Sequence, residues 1–176
     1  GGYETYDAAQ NQRTLADLQV TEWLLSQFST IDEVKAALSS VRVVGLEKTA
    51  VVHWRIGEPS GRQVVLEIVG GVPHFYENTV GVLTNAPGFE WQLTNLNNYV
   101  NLHPGDASMQ KLSGITLQPT GGNSGFLGIP GDATPPSRFV RAAFYRGTAP
   151  QRATGFDTVQ QCFHLLNNFD IPIGIE

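Results

Sequence analysis

Several residue types that often mark a bound partner are scarce in this sequence of 176 residues. A single cysteine excludes an internal disulfide. The formal net charge is -5 with only 11 Lys and Arg, and they form no cluster, whereas phosphate binding needs a basic face. No apolar run is long enough to span a bilayer, and residues 1–7 lack the hydrophobic segment of a signal peptide. We therefore expect no nucleic-acid partner and no membrane partner.

Signals for a metal or a cofactor are also missing. No two of the four histidines have a spacing typical of metal ligands. The carboxylates are scattered, and no pair stands out as an acid/base couple. The glycine-rich run 121–131 follows no strand and has no Lys-Ser/Thr, so it is not a phosphate loop. We expect no metal and no cofactor.

Three residues with reactive side chains are assigned structural roles on sequence grounds. His53 and His74 lie within predicted strands, where a strand-face position is commoner than a ligand position. Cys162 lies in an apolar helical pattern, and such a cysteine is usually a small buried hydrophobe. It lacks the electropositive, exposed setting of a reactive thiolate. Taken alone, the sequence therefore contains no complete catalytic set.

What is present indicates a folded protein. Apolar residues make up 41% and charged residues 15% of the chain, as in a folded protein. The length of 176 residues predicts a single domain over residues 1–176. Leu15, Leu18, Leu25 and Phe28 fall near helical spacing and predict a first helix. Thr30 and Glu33 have capping-box spacing and predict the start of a second helix.

The middle of the chain is rich in β-branched residues and predicts an antiparallel meander of about five strands. The predicted strands are 41–46, 49–56, 62–69, 72–77 and 80–84. Apolar residues on both parities of 49–56 predict burial on both faces of that strand. Gly70 and Gly71 predict a two-residue hairpin loop.

The last third of the chain is predicted to contain a long loop and two helices. Residues 101–134 are glycine-rich with little periodicity, and a loop of this length is usually functional or an assembly element. One helix is predicted from about Ser137, with Phe139, Val140, Ala143 and Phe144 facing inward. The other is predicted over about 156–168, with an apolar face at helical spacing.

Two polar residues occupy positions that suit a ligand-binding role. Asn85 ends a predicted apolar strand and is followed by Ala86, Pro87 and Gly88, which predict a tight turn. A helix is predicted after the turn, carrying Phe89, Leu93, Leu96 and Tyr99. Asn85 either caps that turn or directs an amide donor into a cleft. Arg138 begins a helix, where a cation is disfavoured by the helix dipole. It either pairs with a carboxylate, the safer interpretation of the residue alone, or is held for a ligand.

Two motifs together resemble those of a known family. The stretch Val82-Leu-Thr-Asn-Ala-Pro-Gly-Phe-Glu-Trp-Gln with Asn95-Leu-Asn-Asn-Tyr resembles one signature of the choloylglycine hydrolases. Gly128-Ile-Pro-Gly-Asp followed by Ser137-Arg-Phe-Val-Arg resembles a second. That family contains bacterial conjugated bile acid hydrolases and penicillin V acylases. The resemblance covers nearly the whole chain, and its details look closer to acylases of Gram-negative type.

The resemblance implies an α+β fold, a four-layer αββα sandwich of the N-terminal nucleophile (Ntn) hydrolase type. It also implies a mechanism in which an N-terminal cysteine attacks a linear amide while its own α-amino group takes the thiol proton. By motif match, Asn85 corresponds to an oxyanion-hole donor and Arg138 to the arginine that stabilises charge near the nucleophile. The implied substrates are small amides: phenoxyacetyl penicillins, conjugated bile acids or N-acyl homoserine lactones.

The chain departs from the family pattern at its first residue, which is Gly1 and not cysteine. The expectation is therefore an internal fragment of a domain, incomplete at both ends, inactive alone and lacking the nucleophile. The alternative is a non-catalytic domain that binds an acyl ligand or serves assembly on the same scaffold. Residues 101–134 fall where the family has an assembly loop, which implies a homo-oligomer, a tetramer, for the full-length protein. The sequence leaves the compartment open between periplasm and cytoplasm.

Overall fold

The computed structural model describes residues 13–45 and 52–174. Its elements fall into two units, residues 1–91 and 92–176. The elements, in chain order, are β1 (Arg13–Ala16), α1 (Val20–Gln27), α2 (Ile31–Leu38), β2 (Val41–Val44), β3 (Trp54–Gly57), β4 (Gln63–Val69), β5 (Val72–Glu77), α3 (Phe89–Asn95), β6 (Gln110–Leu112), β7 (Ile115–Leu117), α4 (Pro135–Thr148) and α5 (Gly155–Leu166). The protein is therefore of the α+β class. The single domain over 1–176 and the four layers stay predictions.

A three-stranded antiparallel sheet in the order β3-β4-β5 forms the centre of the first unit. β4 is its middle strand, and five consecutive residues, 64–68, are buried. Gly70 and Gly71 join β4 to β5 with φ values of 60° and 79°, which confirms the predicted hairpin loop. Burial on both faces is observed for β4. The prediction of such burial for 49–56 is wrong, because Arg55 on β3 is exposed. Residues 49–51 lie outside the described ranges.

β1 and β2 form a separate parallel pair, in which Leu15 lies opposite Val43. The predicted meander is wrong here, because the strand that begins at Val41 pairs with residues 13–16 and, within the described ranges, not with β3. A parallel pair needs a crossover, and α1 and α2 supply it. The predicted first helix is also wrong in its start, since Leu15 belongs to β1 and α1 begins at Val20.

The core of the first unit lies between these helices and the strands. Of the predicted helical face, Leu18 and Leu25 are exposed at 71% and 81%, whereas Val20 and Leu24 are buried. The buried core cluster consists of Val20, Leu24, Val34, Leu38, Val43, Leu66 and Ile68. Fully burying an aliphatic side chain of this kind contributes about 1.5–3 kcal/mol. This cluster therefore joins α1 and α2 to both sheets.

The capping box at the start of α2 is confirmed. Thr30 Oγ1 accepts the N–H of Glu33 at 3.3 Å, and Glu33 Oε2 accepts the N–H of Thr30 at 3.0 Å. The same carboxylate oxygen accepts the N–H of Ser29 at 2.8 Å. These backbone hydrogen bonds lower the pKa of Glu33.

The predicted strand over 80–84 is wrong, because its backbone groups bond to side chains. Asn78 Nδ2 donates to the carbonyl of Val82 at 3.1 Å, and Asn78 Oδ1 accepts the N–H of Gly81 at 2.8 Å. The carbonyl of Thr84 lies 2.7 Å from His53 Nε2. The segment is therefore anchored by these side chains, but it forms no strand and does not continue the sheet.

The second unit contains a hairpin inside the predicted loop of 101–134. β6 and β7 pair antiparallel, with Leu112 opposite Ile115. Ser113 and Gly114 form the turn with φ values of 47° and 86°. Short strands with exposed side chains give no strong alternation, which is why the sequence pattern did not reveal them.

The two C-terminal helices are confirmed with shifted bounds. α4 begins at Pro135, two residues before the predicted start, because proline is tolerated in the first turn where N–H groups lack helical partners. Phe139 and Val140 are buried as predicted, whereas Ala143 and Phe144 are only partly buried. The apolar face of α5 is exposed, and Cys162 on it is exposed as well. The prediction of a buried cysteine is therefore wrong.

Candidate active site

Asn85 lies at an exposed bend between two buried residues. Val82 precedes it and Phe89 follows it, at 7% and 1% exposure. The bend continues through Ala86 and Pro87, whose peptide bond is cis, and α3 then begins at Phe89. The predicted turn and the predicted helix after it are confirmed. The amide side chain of Asn85 therefore lies between two residues, Val82 and Phe89, whose positions are fixed by burial.

One anchor of the bend is His53, which precedes β3 and does not lie within a strand as predicted. Its Nε2 lies 2.7 Å from the carbonyl oxygen of Thr84, the residue before Asn85. Because a carbonyl oxygen only accepts, Nε2 carries the hydrogen of this bond. His53 therefore fixes the backbone on the N-terminal side of the bend.

The other anchor is Glu67 on β4. Its Oε1 accepts the N–H of Phe89 at 2.7 Å, and it lies 3.6 Å from Nδ1 of His53. The first N–H groups of a helix have no partner within the helix, so a carboxylate is well suited to receive one. Glu67 is 2% exposed. His53 and Glu67 are thus neighbours that hold the bend from its two ends.

Tyr76 on β5 packs beside the same helix start. Its ring centroid lies 6.1 Å from that of Phe89. Burial raises the pKa of Tyr76, and the nearby charges of Glu67 and Glu90 raise it further. The phenol therefore stays neutral around neutral pH.

Arg138 lies in the first turn of α4 and is half-buried. Its Nε donates to the carbonyl of Ala133 at 3.0 Å. The bond goes to a backbone oxygen, which orients the guanidinium relative to the chain that leads into α4. Arg138 lines a surface pocket together with Asp132, Arg141 and Asp170.

Asp132 organises the segment that leads into α4. Its Oδ2 accepts the hydroxyl of Ser137 at 2.6 Å, and its Oδ1 accepts the N–H of Thr134 at 2.9 Å. The hydrogen bond from Ser137, followed by those from Thr134, lowers the pKa of Asp132 to about 2. Arg141 adds two bonds of 2.8 Å from Nη1 to the carbonyls of Pro130 and Asp132. These contacts fix the helix start from which Arg138 projects.

The two residues predicted for the site lie in different units. Asn85 belongs to residues 1–91 and Arg138 to residues 92–176. Over residues 13–45 and 52–174, no group of three or more His, Cys, Asp or Glu could hold a metal ion. Across the described part of the chain, no helix has the length and apolar character needed to cross a bilayer.

Sequence reasoning missed the pair His53 and Glu67. The sequence pattern predicts a strand-face position for His53 and indicates no role for Glu67. A signal was present, because Glu67 interrupts the run Val64-Val-Leu-Glu-Ile-Val. A carboxylate among residues of a buried strand is costly unless it is hydrogen-bonded, so it marks a specific contact.

Comparison with known proteins shows one family. The family of linear amide C-N hydrolases called the choloylglycine hydrolase family matches residues 2–176. A bile salt hydrolase/transferase of Clostridium perfringens is 36% identical over 157 residues, which are 86% of this chain and 48% of that protein. A conjugated bile acid hydrolase of Lactobacillus acidophilus is 36% identical over 161 residues, 88% of this chain and 50% of that protein.

Solved structures give the same result. A variant of conjugated bile acid hydrolase from Clostridium perfringens has a TM-score of 0.83 at 31% identity, over 98% of this chain and 55% of that chain. Penicillin V acylase from Agrobacterium tumefaciens has a TM-score of 0.74 at 22% identity, over 99% of this chain and 48% of that chain, and it supports the fold alone. These values run against the expected closer likeness to Gram-negative acylases. The chain spans about half the length of the curated relatives it matches.

Proposed function

The chain belongs to the choloylglycine hydrolase family of linear amide C-N hydrolases, and on that basis we propose that the whole protein hydrolyses a linear amide with Asn85 and Arg138 in its active site. The observation that carries the proposal is the Asn85 bend. An exposed amide is fixed between Thr84, which is bonded to His53, and Phe89, which is bonded to Glu67. An oxyanion hole needs such a donor, one that is already oriented before charge develops.

The proposed reaction uses a cysteine at the N-terminus of the mature protein as nucleophile. Its α-amino group takes the thiol proton, and the thiolate attacks the amide carbonyl. Asn85 Nδ2 donates to the oxygen as it becomes an oxyanion, and the intermediate collapses to a thioester as the protonated amine leaves. Water then hydrolyses the thioester. Cys162 cannot fill this role, since it lies within α5 and has no adjacent free amine.

Arg138 is proposed to stabilise negative charge near that thiolate. A guanidinium remains charged at any working pH and lowers the pKa of a neighbouring thiol. The rigid segment made by Asp132, Ser137 and Arg141 supports this proposal, because it fixes the helix start from which Arg138 projects. The proposed architecture of the whole protein is the four-layer αββα sandwich, with residues 1–176 forming part of it.

The proposed substrate is a small amide, and conjugated bile acids are the first class to test. The relatives named as bile salt or conjugated bile acid hydrolases are 36% identical to this chain. Penicillin V and N-acyl homoserine lactones are the other two classes. The decisive experiment measures amine release from each class by the whole protein and by its Asn85→Ala and Arg138→Ala variants.

Loss of Asn85 should lower kcat by about 10²–10³, the usual effect of removing an oxyanion-hole donor, and loss of Arg138 should also lower kcat strongly, because the thiolate loses a stabilising charge. Asn101→Ala and Arg146→Ala are matched controls, since both residues are exposed and neither lies at the site. Turnover close to wild type in both site variants would overturn the proposal. Tight binding of an acyl ligand by the whole protein without any hydrolysis would instead favour the non-catalytic alternative.

Homo-oligomerisation, with a tetramer as the expected state, is part of the proposal for the whole protein. The hairpin β6–β7 supports it, because Leu112, Ile115 and Leu117 are all exposed on short strands. Exposed apolar side chains on an edge are typical of contact surfaces. Light scattering of wild type against Leu112→Glu/Ile115→Glu tests it, and an unchanged mass would contradict a role for this hairpin.

A further inference from the structure

Glu67 is an unusual residue for its position. β4 buries five residues in a row, 64–68, and the other four are Val, Val, Leu and Ile. Burying a carboxylate is costly unless it is paired and hydrogen-bonded. Because a sheet centre is most stable with apolar residues, the contacts of Glu67 are what can account for its presence.

Those contacts lead to the Asn85 bend. Glu67 Oε1 accepts the N–H of Phe89 at 2.7 Å and lies 3.6 Å from His53 Nδ1. His53 Nε2 in turn donates to the carbonyl of Thr84 at 2.7 Å. One pair of neighbouring side chains therefore holds the backbone on both sides of a segment of four residues, 85–88.

From this geometry we infer that His53 and Glu67 are positioning residues that set the orientation of the Asn85 amide for catalysis. The inference rests on the proposed role of Asn85. Neither side chain is assigned a contact with substrate, and both act through the backbone at Thr84 and Phe89. A donor must lie within a fraction of an ångström of its productive place, and a displacement of about 1 Å can cost about 10²-fold in rate.

The contacts upstream of the bend reinforce the inference. Asn78 is buried and binds the carbonyl of Val82 and the N–H of Gly81. The chain from 81 to 89 is thus fixed at Gly81, Val82, Thr84 and Phe89 by three side chains from outside the segment. Segments without secondary structure are usually mobile. In this segment, by contrast, three of the four bonded residues precede Asn85 and one follows it.

The test pairs a disruptive with a conservative variant at each position in the whole protein. Glu67→Leu removes the acceptor of the Phe89 N–H, whereas Glu67→Gln keeps an oxygen there. His53→Phe removes the donor to Thr84, whereas His53→Gln keeps an N–H. The matched control is Glu58→Leu, because Glu58 also accepts a backbone N–H, that of Ile31 at 2.8 Å, away from the bend.

The expected result is a loss of kcat of about 10²-fold in Glu67→Leu and His53→Phe with little change in KM, since an oriented donor acts in the transition state. Glu67→Gln and His53→Gln should retain most of kcat. Hydrogen exchange over residues 84–91 should accelerate in the two disruptive variants and stay as in wild type in Glu58→Leu. If the two residues had only a structural role, Glu67→Leu, His53→Phe and Glu58→Leu would all have a lower melting temperature. Their kcat, measured below that temperature, would then equal that of wild type.

The outcomes separate this inference from the proposed function. Unchanged kcat in Glu67→Leu and His53→Phe, together with a lowered kcat in Asn85→Ala, would overturn the inference alone. Full turnover in Asn85→Ala would overturn both. If Glu67→Leu does not fold, the comparison of His53→Phe with His53→Gln decides the test. His53 precedes β3 and is not part of the central strand β4, so its substitution leaves that strand intact.

Discussion

The backbone N–H of Phe89 donates a 2.7 Å hydrogen bond to Oε1 of Glu67, 22 residues earlier in the chain. This bond joins the middle strand of the central sheet to the first residue of α3. Neighbouring residues of a strand point to opposite faces, so β4 serves two purposes. Leu66 and Ile68 belong to the hydrophobic core, and Glu67 between them points toward the Asn85 bend.

This division predicts that Leu66→Ala lowers stability without changing catalysis. Truncating a fully buried Leu costs about 2–5 kcal/mol, since a cavity remains, and Leu66 is 0% exposed. Its face of β4 is not the face of Glu67, so the bend should keep its geometry. Urea unfolding should show the loss, and kcat measured well below the melting temperature should match wild type.

The control for that prediction is Leu25→Ala. Leu25 is exposed, and substitutions at such positions usually change stability by less than about 0.5 kcal/mol. A loss of kcat in Leu66→Ala equal to that in Glu67→Leu would show that the two faces of β4 are not independent.

A second prediction concerns the capping box of α2. Thr30→Ala should lower the free energy of unfolding by about 1 kcal/mol, because the N–H of Glu33 loses its acceptor at the helix start. Thr30→Ser keeps the hydroxyl and should restore most of the loss. Chemical denaturation of the three proteins measures both effects. Equal stability of Thr30→Ala and wild type would show that water replaces the cap without cost.

The capping box also shows what local sequence can predict. Thr30 and Glu33 are three residues apart, and both of their reciprocal bonds form as predicted. Gly70 and Gly71 likewise determine their hairpin locally. The motif around Asn85 predicted the bend and the helix after it, because Pro87 and Gly88 interrupt regular structure wherever they occur.

Non-local pairing could not be predicted in the same way. Nothing near Val41 indicates that β2 pairs with residues 13–16 and not with the next strand. The predicted strand over 80–84 failed because its carbonyls bind the side chains of Asn78 and His53. For the same reason the site prediction contained Asn85 but not His53 and Glu67, which hold its bend and are distant from it in sequence.

A third prediction concerns the close approach of two backbone segments at Gly125. The N–H of His103 donates to the carbonyl of Gly125 at 3.1 Å, and the N–H of Gly125 donates to the carbonyl of Gly105 at 2.9 Å. A Cβ on residue 125 would lie 2.8 Å from that Gly105 oxygen and close to the His103 carbonyl. Gly125→Ala should therefore separate the segments and lower the melting temperature.

Gly131→Ala is the matched control for Gly125→Ala. A Cβ at residue 131 has no atom within 4 Å, so the substitution should be neutral or slightly stabilising through the unfolded chain. Thermal unfolding of both variants decides. Equal melting temperatures for Gly125→Ala and Gly131→Ala would contradict the close packing between 103–105 and 125.

The final prediction concerns acid stability and the start of α4. The hydroxyl of Ser137 and the groups of Thr134 lower the pKa of Asp132 to about 2 from 3.8. A carboxyl whose pKa is lower in the folded than in the unfolded state stabilises the fold above the unfolded pKa, and this stabilisation is lost as pH falls through the folded pKa. The difference in unfolding free energy between wild type and Asp132→Asn should therefore be full above about pH 4 and decline toward about pH 2.

Ser137→Ala identifies the cause of that decline. It removes the strongest of the bonds to Asp132, so the pH dependence between pH 4 and 2 should weaken. In the Asp132→Asn background the same substitution should leave the pH dependence unchanged, because the titrating carboxylate is gone. Urea unfolding of the four proteins at several pH values completes the cycle. If Asp132→Asn leaves the pH dependence of stability unchanged, other carboxylates cause it. Asp132 would then not contribute to the stability of the α4 start.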